Sequence, residues 1–109
     1  VSLPKRVVIC GIPYKILYVK KRSEVDGNEQ TPLVGQINYW TREIRLLDTG
    51  QPVEDVWQEL WHEVLHGIRL AMKLDERRLG SENELDLLAV GINDVIFRNR
   101  WLKEKWQKR

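Results

Sequence analysis

With 109 residues, 42% of them apolar and 31% charged, the chain can build one modest hydrophobic core, and it is too short for a second catalytic lobe. We therefore read residues 1–109 as a single domain. No stretch approaches the length of a membrane span, and a net charge of +2 is too small to mark a nucleic-acid binder.

The first half reads as strands. Val1 to Arg6 carry no long apolar leader, so no signal peptide is expected, and the chain runs directly into β-branched and aromatic segments at Val7 to Cys10 and Tyr14 to Val19. Gly11-Ile12-Pro13 between them signals a turn. The lone cysteine, Cys10, excludes a disulfide framework within the chain, which favours a reducing, cytoplasmic setting, and its place in an apolar run predicts a buried strand thiol. Lys20 to Gly35 reads as a loop lying over a cleft. Gln36 to Trp40 and Glu43 to Leu47 then flank Thr41-Arg42 as a hairpin, so a small, mostly antiparallel sheet is expected.

The second half reads as helices. Pro52 suits a first helical turn, and apolar residues recur at Val53, Trp57, Leu60, Trp61, Val64, Leu65, Ile68, Ala71 and Met72, which predicts an amphipathic helix to about Lys73. On this helix lie the chain's only two histidines, in His62-Glu63-Val64-Leu65-His66, the H-E-x-x-H pattern of zinc peptidases. Residues i and i+4 share one helix face, so both imidazoles can reach one ion, and the glutamate between them is offset toward a bound water. Two solvated histidines on a polar helix face are the bland alternative. The rarity of the motif disfavours it, and the apolar stripe, which runs on roughly the opposite side, does not account for the pair.

Lys73 to Gly80 reads as a charged connector. Ser81 and Glu84 have capping-box spacing, and a helix with Leu85, Leu88, Ala89, Ile92 and Ile96 follows, running toward Trp106. The third metal ligand has to be a carboxylate, since no third histidine exists. Asp75 and Glu76 follow the motif too closely, and Glu84 has its capping role and stays second choice. Glu82 and Asp86 stand one turn apart, so Glu82 can bind metal while Asp86 accepts a hydrogen bond from a ligand imidazole.

The motif, preceded by Trp57, Leu60 and Trp61 and followed by Glu82-Asn83-Glu84-Leu85-Asp86-Leu87-Leu88-Ala89, resembles the ImmA/IrrE-like, gluzincin-type metallopeptidases, above all their small phage and prophage members. The resemblance spans about the last three-quarters of the chain. Leu85 departs from it, standing where an alanine is usual. It implies a minimal zincin-like α+β fold: an N-terminal sheet, the motif helix and a long C-terminal helix. It also implies Zn2+, bound by His62, His66 and Glu82, peptide-bond hydrolysis with Glu63 as general base, and the cytoplasm of a bacterium or phage-infected host. Repressor-like regulatory proteins are the substrates of some larger members.

Tyr39, Arg42 and Arg69 are candidate donors for the developing oxyanion. The strand from Ile37 to Trp40, if it forms the sheet edge, offers main-chain groups to an extended protein or peptide substrate. A second apolar stripe, Leu87, Val90, Phe97 and Trp101, suggests a homodimer through the last helix. The rival class is a non-catalytic interaction protein with a structural metal or none, whose helix end, rich in tryptophan and basic residues, binds a regulator or nucleic acid. The small net charge makes nucleic acid the weaker partner.

Overall fold

The computed structural model describes residues 3–26, 34–72 and 81–98. They form an α+β arrangement, with β1 (Arg6–Ile9), β2 (Ile12–Val19), a single helical turn α1 (Ser23–Asp26), β3 (Gly35–Asn38), β4 (Glu43–Leu47), a long helix α2 (Val53–Ala71) and a second helix α3 (Glu82–Arg98). The four strands make one sheet in the order β1-β2-β4-β3.

The expected sheet forms with two corrections to its details. Cys10 is not in the strand. It and Gly11 have φ of 50° and 82°, so they make a two-residue turn whose positive φ angles match the twist of the flanking strands, and the thiol is exposed. The strand resumes at Ile12 rather than Tyr14. Pro13 is accommodated because it pairs with Val8 on one side, while β4 begins its pairing with β2 only at Lys15. Second, the central pair, β2 with β4, is parallel, although both outer pairs are antiparallel. The chain leaving β2 crosses past the neighbouring position to lay β3 at the edge, and the hairpin then returns β4 into the gap. Part of the expected loop is ordered structure: α1 is fastened to β4 by Arg45, whose guanidinium donates to the Glu24 carbonyl at 3.1 Å.

The β3–β4 hairpin closes two residues earlier than expected, because Asn38 caps it. Its Oδ1 accepts from the N–H groups of Trp40 (2.9 Å) and Thr41 (3.1 Å), and Arg42 takes a φ of 61° to re-enter the ladder. Trp40 is left exposed.

One sheet face is covered by α2. Ile9, Tyr14, Ile16, Ile44 and Leu46 pack against Val56, Leu60 and Val64. Each such side chain contributes about 1.5–3 kcal/mol by leaving water. The expected stripe on α2 is buried at Leu60, Val64 and Leu65 and packs against the core, partly buried, at Trp57, Trp61 and Ile68; it omitted Val56, and Ala71 and Met72 at the helix end are exposed. Gly67 lets α2 settle close to the sheet, since a Cβ there would stand 2.8 Å from Ile9 Cδ1 and 3.2 Å from Ile37 Cδ1.

Helix α3 crosses back over α2 in the opposite direction. Leu85 and Ala89 pack on Leu65 near the end of α2, and Asn93 donates to the Glu54 carbonyl near its start at 2.9 Å. Leu88, expected on the buried side, is partly exposed, as are Leu87, Val90 and Val95. The side chains of Ile96 and Phe97, and the whole of Trp101 and Trp106, lie outside the described residues, as does the connector at 73–80. No helix among the described residues is long and apolar enough to cross a membrane.

The close approach at Gly67 carries a prediction. Gly67→Val should lower stability by about 2 kcal/mol through overpacking. Gly67→Ala should cost less, because two isoleucine ends can yield to one methyl and alanine recovers up to about 1 kcal/mol of helix propensity. Urea unfolding of the two variants beside wild type would rank them.

Candidate metal centre

The i, i+4 spacing on α2 does what the sequence suggests: the His62 and His66 rings lie edge to face with centroids 4.8 Å apart, and their Nε2 atoms are 3.1 Å apart. The two are not on a solvated face. His62 is only 7% exposed and Glu63 only 5%, because α2 is covered by the sheet on one side and by α3 on another. Glu63 turns toward the sheet, where its carboxylate accepts the Ile37 N–H of β3.

Helix α3 supplies the third group. Glu82, in its first turn, places Oε1 2.6 Å from His62 Nε2 and Oε2 3.0 Å from His66 Nε2. Among the described residues, His62, His66 and Glu82 form the group that can share one ion, with ligand atoms all within 4.8 Å of one another. Asp86, one turn further on, sets Oδ1 3.4 Å from His62 Nδ1, too poorly aligned for a hydrogen bond. Glu84 is turned away to the helix cap, where Ser81 Oγ accepts the Glu84 N–H and donates to its carboxylate, both at 3.4 Å.

Burial dominates the electrostatics. It pushes the Glu63 carboxyl up to about 7, with Glu82 and Glu59 adding to the rise against the opposing pull of His62 and the Ile37 N–H. It also lowers His66, more than Glu82 restores, which keeps that imidazole neutral as a ligand must be. For Glu82, burial acts upward as well, yet the hydrogen bonds and positive charge of the two histidines outweigh it and hold the carboxyl below its ordinary value. Glu63 is thus a proton acceptor tuned near neutrality, and Glu82 an anion.

The donor set fits zinc. Ligand atoms about 2.0–2.2 Å from a tetrahedral ion are about 3.3–3.6 Å apart, so the three groups need to separate by only a few tenths of an ångström to a full ångström. One contact opposes this. Arg69 Nη2 is 3.2 Å from His66 Nδ1, and a guanidinium only donates, so the ring proton of neutral His66 stands on Nε2, facing Glu82. An ion at Nε2 requires that proton to move to Nδ1 and Arg69 to turn aside.

The other expected donors are placed as follows. Tyr39 donates to the His66 carbonyl at 3.2 Å, and its hydroxyl is held protonated by burial, then by the charge of Glu63. Arg42 is engaged with Tyr14, 3.3 Å from its hydroxyl and stacked over its ring. Arg69 is on His66.

A cavity of about 240 Å³ opens beside the group, lined by Val34, Gly35, Glu59, His62, Glu63, Glu82, Asn83 and Asp86. Sequence reasoning misses Glu59, Gly35 and Asn83. Helical spacing carries a signal for the first, since 59, 62, 63 and 66 share one face. Nothing local marks Gly35, whose lack of a side chain matters because a Cβ would sit 3.0 Å from Leu46 Cδ2 and 3.3 Å from Glu63 Oε2. Compared with known proteins, the chain matches no family model, no curated protein and no solved structure at a significant level.

The raised Glu63 predicts a pH dependence of stability in chelator-treated protein. The folded state keeps a proton to about pH 7 that the unfolded chain releases near its ordinary 4.5, so stability falls as pH rises between those values. That difference corresponds to roughly 3 kcal/mol. Glu63→Gln, which never ionises, should lack this decline, and the gap between the two proteins in urea unfolding should change by about 2 kcal/mol of that from pH 5 to 7.5. A gap constant with pH would show that Glu63 ionises normally.

Proposed function

We propose that the protein is a zinc-dependent peptidase of the type its motif resembles, the ImmA/IrrE-like metallopeptidases, acting in the cytoplasm of a bacterium or phage-infected host. The observation that carries this reading is the meeting of His62 and His66 with Glu82, 20 residues after His62, beside a buried Glu63 tuned near neutrality. A zinc ion on those three side chains would polarise the substrate carbonyl and acidify a water.

Glu63 takes the proton of the attacking water and delivers it to the leaving nitrogen as the C–N bond breaks. Its raised proton affinity suits both transfers, and the positive charge of a nearby ion would bring it down toward the ionised form needed first. The Ile37 N–H fixes one side of the carboxylate while the rest faces the cavity. Asp86 orients His62 once the ring turns its Nδ1–H into line. Strand β3 supports a peptide substrate: among the described residues it pairs only with β4, so on its other edge the main-chain groups not taken up by Glu63 at Ile37 can pair with an extended chain.

His66→Ala should abolish stoichiometric zinc binding, measured by metal analysis after dialysis. Glu63→Gln should retain the zinc and lose about 10²–10⁴-fold in peptide hydrolysis. Zinc retained by wild type with no hydrolysis of any peptide or protein would favour the non-catalytic interaction reading. Wild type that cannot be loaded with zinc would defeat the peptidase reading and leave the non-catalytic one.

A further inference from the structure

The cavity beside Glu63 has features that neither the metal group nor the general base requires. It lies between the start of β3, the middle of α2 and the first turns of α3, with room for one long side chain. One buried polar side chain that lines it has unused hydrogen-bonding capacity. His62 has an Nδ1 with no hydrogen-bond partner, and it stands beside the buried Glu63 in the cavity wall. Gly35 leaves the wall next to Glu63 open, since any side chain there would press on that carboxylate. Buried groups left in this state point to a ligand that enters the cavity.

Charge indicates what that ligand is. Glu59, Glu63, Glu82 and Asp86 all line the cavity, and among the described residues no lysine or arginine does. A divalent ion would offset two of those four formal negative charges, leaving the cavity anionic. Glu59 is half-buried, and no cationic side chain of the protein is placed against it among the described residues. Burial and the charges of Asp86, Asp55 and Glu82 raise its proton affinity against the opposing effect of His62, as expected of a carboxylate short of a counter-ion.

We infer that this cavity is the subsite for a lysine or arginine side chain adjacent to the scissile bond, with Glu59 as the specificity-determining residue. The inference rests on the peptidase reading above. A peptide lying along the open edge of β3 passes Gly35, and the side chain at that point reaches the cavity wall that Glu59 and Asp86 form from two different helices. An ammonium or guanidinium there gains a charge-assisted hydrogen bond, whereas an acidic side chain meets like charge.

The test uses the zinc-loaded protein and a pool of peptides in which Lys, Arg, Met and Asp are equally represented at each position, with cleavage sites read by mass spectrometry. At one position flanking the cut, Lys and Arg should be preferred over Met by about tenfold in kcat/KM, mainly through KM. Glu59→Gln should bring that ratio close to one, and Glu59→Lys should turn it toward Asp. If either variant fails to fold by circular dichroism, the wild-type preference should still shrink between 50 and 500 mM salt, as screening of a charge pair requires. Cleavage without a basic preference, or a preference unchanged in Glu59→Gln, overturns the subsite and leaves the peptidase reading standing. No cleavage of any peptide, together with equal binding of Lys and Met peptides to zinc-loaded Glu63→Gln, overturns both.

Discussion

The packing of α3 against α2 is the constraint on which the rest of the site depends. Leu85 and Ala89 are fully buried against Leu65, and this contact sets the height at which the start of α3 passes the two histidines. Slide α3 by one turn, about 5.4 Å, and Glu82 leaves both imidazoles while Asp86 or the helix cap takes its place. The same contact removes the histidines from water and forms one wall of the cavity. An apolar anchor thus determines a polar geometry, because burial of Leu85 specifies one register and the meeting of Glu82 with the two histidines follows from it.

Burying polar groups is costly, and the site shows how that cost is distributed. His62 and Glu63 are more than nine-tenths buried, yet Nδ1 of His62 has no hydrogen bond and burial pushes the Glu63 carboxyl up to about 7. An unsatisfied buried polar group typically costs about 1–3 kcal/mol, which the two apolar clusters on either side of α2 must offset. Such groups are tolerated where something else completes them. Under the proposed function a divalent ion, a water and a cationic substrate side chain would each offset part of that cost, so stability and chemistry draw on the same atoms.

Much of this architecture is legible in the amino-acid sequence, and the parts that are not share a cause. Ser81 and Glu84 mark the start of α3 because capping is a contact between residues three apart, and the His62/His66 pair is visible because four residues make about one helical turn. Cys10 misleads because its apolar neighbours imitate a strand, whereas the two-residue turn is fixed by its pairing across the hairpin, Ile9 with Ile12. The parallel β2–β4 pair has no sequence signal, since a hairpin pattern says which strands are antiparallel neighbours and nothing about where the hairpin docks. Elimination singles out Glu82 with Glu84 as its rival, and the geometry separates them.

By itself, then, the sequence determined what is local: an α+β order of elements, an amphipathic helix carrying two imidazoles and a carboxylate on adjacent faces, and a capped helix after it with acidic residues in its first turns. These follow from periods of 2 and 3.6 residues, which a single chain displays along its length. Only the tertiary structure decided that His62 is buried and His66 half-buried, that Glu82 meets both of them, that Ile37 of the edge strand holds Glu63, and that Glu59 and Gly35 shape a cavity beside it. Those facts join residues 16 or more apart or depend on how helices and sheet stack. Packing sets such distances, and no short-range pattern in the chain encodes them.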